Sequence, residues 1–180
     1  VAYALMRFLS PGISFFKVSA QEAAGNVLPA VVTGEHRSVS NTEVSKPQLS
    51  VDVFCASMAN ASTYDKVMQF PLEDIISRCK KDHNYTDEDM ELLERELRRY
   101  LYLCVTSKDA VGMYSKDVDN LWHTFILFTR EYCAFSNLTN GLYIHHDPVR
   151  ESERPATTEG WAKASGEYAQ FIRTYEATFN

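Results

Sequence analysis

From residue 63 onward the apolar residues recur at intervals of three and four, and this period constrains the fold more than any other feature. Leu72, Ile75, Ile76 and Cys79 form one stripe, and Pro71 suits a first helical position, which predicts a helix over about 71–82. Thr86 is a candidate N-cap for a second helix over 87–106. Asp87, Glu88 and Asp89 fill its first turn, and Arg95, Arg98 and Arg99 come later, as the helix dipole favours. Its apolar face is Met90, Leu93, Leu97, Tyr100, Leu101 and Cys104. Ser115 can cap a third helix over 115–136, with Val118, Leu121, Trp122, Phe125, Ile126, Thr129, Tyr132 and Cys133 facing inward. Thr158 opens a fourth over 158–178, led by Trp161, Ala164, Tyr168, Phe171, Ile172, Tyr175 and Phe179. Four amphipathic helices predict an all-α fold with a four-helix core.

The chain before residue 63 differs in kind. It holds nine serines, no sustained helical period, and turn residues at Pro11-Gly12, Gly25, Pro29, Gly34 and Pro47. Short β-leaning pieces occur at Val27–Val32 and Val51–Cys55. The expected organisation is an irregular, extended arm over 1–63 and a helical domain over 64–180. An ordered polar arm must have its backbone groups satisfied somewhere. Leu5, Phe8, Leu9, Phe15 and Phe16 are the candidate anchors onto a partner; the alternative is an arm that wraps its own helical domain.

A content of 45% apolar residues in 180 is enough for a real core, and a net charge of −6 argues against a nucleic-acid surface. No apolar run is long enough to span a bilayer. Cys55, Cys79, Cys104 and Cys133 are scattered without a CxxC pair, as free thiols are. Sequons occur at Asn60, Asn84 and Asn137. The sequence opens at Val1, and if that start reflects removal of a transit peptide, the home is a plastid or mitochondrion; otherwise it is the cytoplasm.

Three of the five histidines sit between Asp117 and Pro148. Asp119 and His123 are four apart, so on a helix both leave one face and can share a divalent metal. His145 or His146, with Asp147, offers further ligands. Adjacent residues of an extended chain point opposite ways, so only one of the two histidines is expected to face the site. The alternative is a hydrogen-bonded lock, with the His123 imidazole holding the loop and Asp147-Pro148 forming a turn. Cys133 lies about 15 Å along a helix from His123, too far to act as its nucleophile. His36 and His83 stand in polar surroundings and are expected to be exposed.

Val118, Asp119, Trp122 and His123 form a VDxxWH signature, followed by FILFTREYCAF and by Gly141, Tyr143, Ile144, His145, His146, Asp147 and Pro148. Over roughly residues 91–148 the chain resembles an uncharacterised helical family related to the glycine-rich domain-containing proteins. The resemblance implies a helical module and brings no reaction with it.

Two functions from different classes follow. The first is a non-catalytic accessory subunit of a larger assembly, anchored to other protein subunits through its arm and without a membrane span of its own. With an imported chain, a respiratory or photosynthetic membrane complex is the assembly this implies. The second is a metal-binding protein or metal-dependent hydrolase centred on Asp119, His123 and His145 or His146. An interaction module using a Trp122 and Tyr143 surface is a third class.

Overall fold

A computed structural model describes residues 16–17, 20–22, 51–108, 110–139, 141–148 and 157–180. In chain order these hold β1 (Phe16–Lys17), β2 (Ala20–Glu22), α1 (Val51–Ser57), α2 (Thr63–Met68), α3 (Glu73–His83) and α4 (Asp87–Thr106). There follow α5 (Lys116–Leu127), α6 (Thr129–Leu138), β3 (Leu142–Ile144), β4 (Asp147–Pro148) and α7 (Thr158–Phe179). The protein is mostly helical, as its periodicity predicts. The four expected helices are present, the third of them in two pieces.

Local chemistry sets the boundaries. Thr86 caps α4 through a reciprocal box: its hydroxyl accepts from the Asp89 amide at 3.1 Å, and the Asp89 carboxylate accepts from the Thr86 amide at 2.9 Å. Ser115 caps α5, accepting from the Val118 amide at 3.3 Å. Asn84 ends α3 in the left-handed region, at φ 57° and ψ 40°, a conformation asparagine tolerates. Pro71 lies two residues before α3 rather than inside its first turn.

Two differences from the sequence reading have physical causes. Val51–Cys55 is helix, not strand, and belongs to α1. Its β-branched residues are outweighed by packing of Phe54 on Phe70, with ring centroids 5.9 Å apart. The helix expected over 115–136 breaks at Phe128, where φ is −82° and ψ is 68°. Phe125 and Tyr132 would be about 10 Å apart along a straight helix; their rings meet at 4.9 Å. The break folds α6 back so that Tyr132 and Phe135 join Phe70 and Phe125 in one aromatic cluster. It also shifts the helical phase. Thr129 and Cys133, expected inside, are exposed, and Leu127 at the corner is 78% exposed.

The core lies between α4 and α5, with α3 on one side, α6 closing the other and α2 packed along α4. Leu93, Leu97, Leu101, Leu121, Trp122 and Phe125 fill it. Arg98 ties α2 to α4, donating to the Val67 carbonyl at 3.0 Å and to Glu94. α7 is held more lightly: of its expected inward residues Ala164 and Tyr175 are buried, while Tyr168, Phe171, Ile172 and Phe179 are partly covered. Its anchor is the Tyr175 hydroxyl, which donates to Glu96 and accepts from Arg99.

The described β structure consists of two short antiparallel ladders. β1 pairs with β4, setting Phe16 opposite Pro148, and β2 pairs with β3, setting Ala20 opposite Ile144. These two pieces of the arm therefore lie on the chain's own helical domain. Of the expected partner anchors, Leu5, Phe8, Leu9 and Phe15 fall outside the described residues, and Phe16 is described in its backbone alone. Val27–Val32 and His36 also fall outside them. No described helix is long and apolar enough to cross a membrane.

Candidate metal centre

α5 carries two of the site's residues. Val118, Leu121, Trp122 and Phe125 turn one side of the helix into the core. Asp119 and His123 share the edge of that side, so the Asp119 side chain is 6% exposed and that of His123, one turn on, is 49% exposed.

The third residue arrives on the return of the chain. α6 ends with the Thr139 hydroxyl donating to the Phe135 carbonyl at 3.0 Å, and the Gly141 amide reaches back to Ser136 at 2.9 Å. Gly141 has φ +74°, and a Cβ there would meet nothing within 4 Å, so the backbone angle alone asks for glycine. The chain then returns as β3, packed on α6 and α4, and brings His146 to α5. Ile144 is buried, His145 is exposed, and His146 turns inward again, following the two-residue alternation of extended chain. The expectation that one of the two histidines faces the site holds, and it is His146. The His145 ring lies instead 4.7 Å from that of Tyr143, and Asp147 is exposed.

Three donor atoms converge. Nε2 of His146 is 2.7 Å from Nε2 of His123 and 3.0 Å from Oδ1 of Asp119, and His123 Nε2 is 3.7 Å from the same oxygen. All lie within 4.8 Å of one another. A ring nitrogen has one in-plane direction, so His146 Nε2 cannot make linear hydrogen bonds to both neighbours at once. One cation between the three atoms would satisfy all of them. Ligands at about 2.0–2.1 Å around a tetrahedral ion stand about 3.3 Å apart, and the observed spacings bracket that value. The set has one negative charge and two imidazoles, an N/O mixture suited to zinc or ferrous iron.

The surroundings hold this geometry. Trp122 packs its indole against His146, ring centroids 4.6 Å apart, and donates Nε1–H to the Tyr132 hydroxyl at 3.1 Å. Tyr132 in turn donates to the Ile144 carbonyl at 2.5 Å. One buried hydroxyl thus joins α5, α6 and the strand that leads to His146. On the other flank the Tyr85 hydroxyl donates to Asp117 at 2.7 Å and accepts from Asn120 at 3.0 Å, fixing the turn after α3 against α5. His83, exposed as expected, stacks on Tyr85 with ring centroids 5.6 Å apart.

Burial lowers the proton affinity of His123, and the neighbouring His146 and His83 add to the effect while Asp119 opposes it. The neutral imidazole that a metal requires is therefore favoured. Burial drives the Tyr132 phenol far upward, keeping its bridging hydroxyl protonated. The four cysteines are free; Cys79 and Cys104 are buried, Cys55 is half-buried and Cys133 is exposed on α6, apart from the cluster.

Asp119, His123 and His146 are all among the candidates the sequence offers, whereas the brace behind them is not. The periodicity places Tyr132 on the apolar face, yet a buried tyrosine needs a partner for its hydroxyl, and that requirement is the signal that points to a bridge.

No curated protein and no solved structure matches the chain. A family model, described as UCP032817-like, matches residues 62–161, a stretch that runs from the cap of α2 into α7 and contains Asp119, His123 and His146. The chain belongs to the UCP032817-like family.

Proposed function

We propose that this chain is a metalloprotein that binds one divalent transition-metal ion on Asp119, His123 and His146 and uses the remaining coordination position to activate water for hydrolysis. The observation that carries this reading is the convergence of three ligand atoms within 4.8 Å. Two histidines and a carboxylate with a position left open is the ligand pattern of catalytic rather than structural zinc. The half-exposed His123 puts the open side toward solvent. An ion there would supply a Lewis acid that lowers the pKa of bound water. The chain's own part is to hold two imidazoles and one carboxylate in place.

The test is metal content and affinity. Purified protein dialysed against zinc should hold one ion per chain, and Asp119→Ala and His146→Ala should each lose it while staying folded. Zinc content equal in the wild type and both variants would overturn the reading. Metal-dependent turnover of ester or phosphoester probes, abolished in the same variants, separates hydrolysis from binding alone.

We also infer kinship with the glycine-rich domain-containing proteins. Its support is the VDxxWH signature and the Gly-x-Tyr-Ile-His-His-Asp-Pro ending. The accessory-subunit reading, with its organellar membrane assembly, is a separate proposal that rests on the apolar residues of the arm. Its test is native size in extract, where a particle far larger than 20.5 kDa would support it.

A further inference from the structure

The arm and the metal centre meet in the same seven residues. Strands β3 and β4 flank His146, and each carries one piece of the arm: β2 on β3 through Ala20–Ile144, Gln21–Tyr143 and Glu22–Leu142, and β1 on β4 through Phe16–Pro148 and Lys17–Asp147. Ladders of two and three residues are marginal alone, because a short strand pair recovers few hydrogen bonds for the backbone freedom it loses. Their persistence depends on how firmly the template edge is held.

Three of that edge's attachments to the helical domain bear on the coupling. The Ile144 side chain is buried, its carbonyl accepts from Tyr132, and His146 reaches Asp119 and His123. The first two are fixed by the fold. The third changes with occupancy of the centre, since an ion replaces hydrogen bonds among the three side chains by direct coordination.

We propose that residues 16–17 and 20–22 act as a strap whose docking is coupled to metal occupancy. Bound metal immobilises residues 142–148 and so favours the docked arm, and loss of metal favours its release. The inference rests on the metal reading and adds regulation to it. Coupling is reciprocal, so arm docking must tighten metal binding by the factor by which metal tightens docking.

The experiment is amide hydrogen exchange on the full chain, with zinc alone or with a chelator, alongside a count of bound zinc. Amides in 20–22 and 142–144 should exchange at least about fivefold more slowly with zinc, the lower end of ordinary allosteric coupling. His146→Ala should abolish that difference. Bonded pairs alternate along an antiparallel ladder, so one of Ala20→Pro and Gln21→Pro removes a ladder N–H. That variant should weaken zinc binding by the same factor while the exchange of α4 and α5 is unchanged, which shows that the helical domain is folded. Zinc bound stoichiometrically with no change in arm exchange overturns the strap and leaves the centre standing. No zinc bound overturns both.

Discussion

Replacing Tyr132 by phenylalanine removes one oxygen and leaves the ring packing in place, so it isolates what the hydroxyl contributes. In the wild type that oxygen accepts from Trp122 Nε1 at 3.1 Å and donates to the Ile144 carbonyl at 2.5 Å, in surroundings where Trp122, Tyr132 and Ile144 are each no more than 1% exposed. Without it the indole N–H is buried and loses this partner, which costs about 1–3 kcal/mol. The Ile144 carbonyl belongs to a residue also paired in the β2–β3 ladder, so its loss is nearer the net value of an ordinary hydrogen bond, about 0.5–1.5 kcal/mol. The expected destabilisation is therefore about 1.5–4.5 kcal/mol. Urea unfolding followed by tryptophan fluorescence measures it, and an unchanged m-value would show that the loss lies in stability and not in the compactness of either state. The same variant should weaken zinc binding about 10–100-fold, the usual cost of removing support behind a ligand, since the strand leading to His146 loses its tie to α6. A destabilisation below about 1 kcal/mol would refute the bridge as a structural link.

Three further outcomes follow from other parts of the molecule. Phe125→Ala, in the centre of the aromatic cluster and fully buried, should cost about 3–5 kcal/mol, while Leu127→Ala, two residues on and 78% exposed, should cost less than about 0.5 kcal/mol in the same unfolding assay. Thr86→Ala, which breaks the capping box of α4, should cost about 1 kcal/mol by the same measurement. Burial raises Tyr85, Tyr114 and Tyr175 each to about 12. An unfolded chain would lose those protons near pH 10, so the native state retains more protons between about 10 and 12 and stability must fall as pH rises through that window. Burial also raises the Cys104 thiol to about 12, so a thermal melting series from pH 7 to 12 should show the midpoint begin to fall near pH 9, where an unfolded thiol ionises, and fall more steeply above 10.

The helices were legible because each depends on local information. Thr86 and Ser115 are capping residues at the start of an apolar period, and both cap. The break at Phe128 was not legible, because no proline or glycine marks it. It is imposed by aromatic residues that pack better folded back than in line, and that gain appears only once Phe70 from another part of the chain is in place. The error at Val51–Cys55 has the same origin. Five residues show no period long enough to separate strand from helix, and the contact with Phe70 decides.

The candidate metal centre divides along the same line between local and long-range information. Asp119 and His123 could be paired from sequence because a helix fixes the relation of i to i+4. The choice between His145 and His146 needed the parity of the returning strand. That parity was in the sequence: Ile144 is the aliphatic residue between Tyr143 and His145, so it takes the inward position and puts 146 inward with it. The residues that carry the signature then fall into two groups. Asp119, His123 and His146 place donor atoms, while Val118, Trp122, Gly141 and Ile144 seat the helix, back the imidazole, turn the chain and set the parity. A hydrogen-bonded lock needs only that the second group hold the loop, and one histidine on one carboxylate would complete it. A second imidazole, its nitrogen 2.7 Å from that of His146, gives His146 Nε2 two close neighbours, and one in-plane direction cannot serve both. A cation shared by the three atoms would answer both contacts at once, which a lock of one histidine on one carboxylate would not require, and this is the support the geometry lends to the metal proposal.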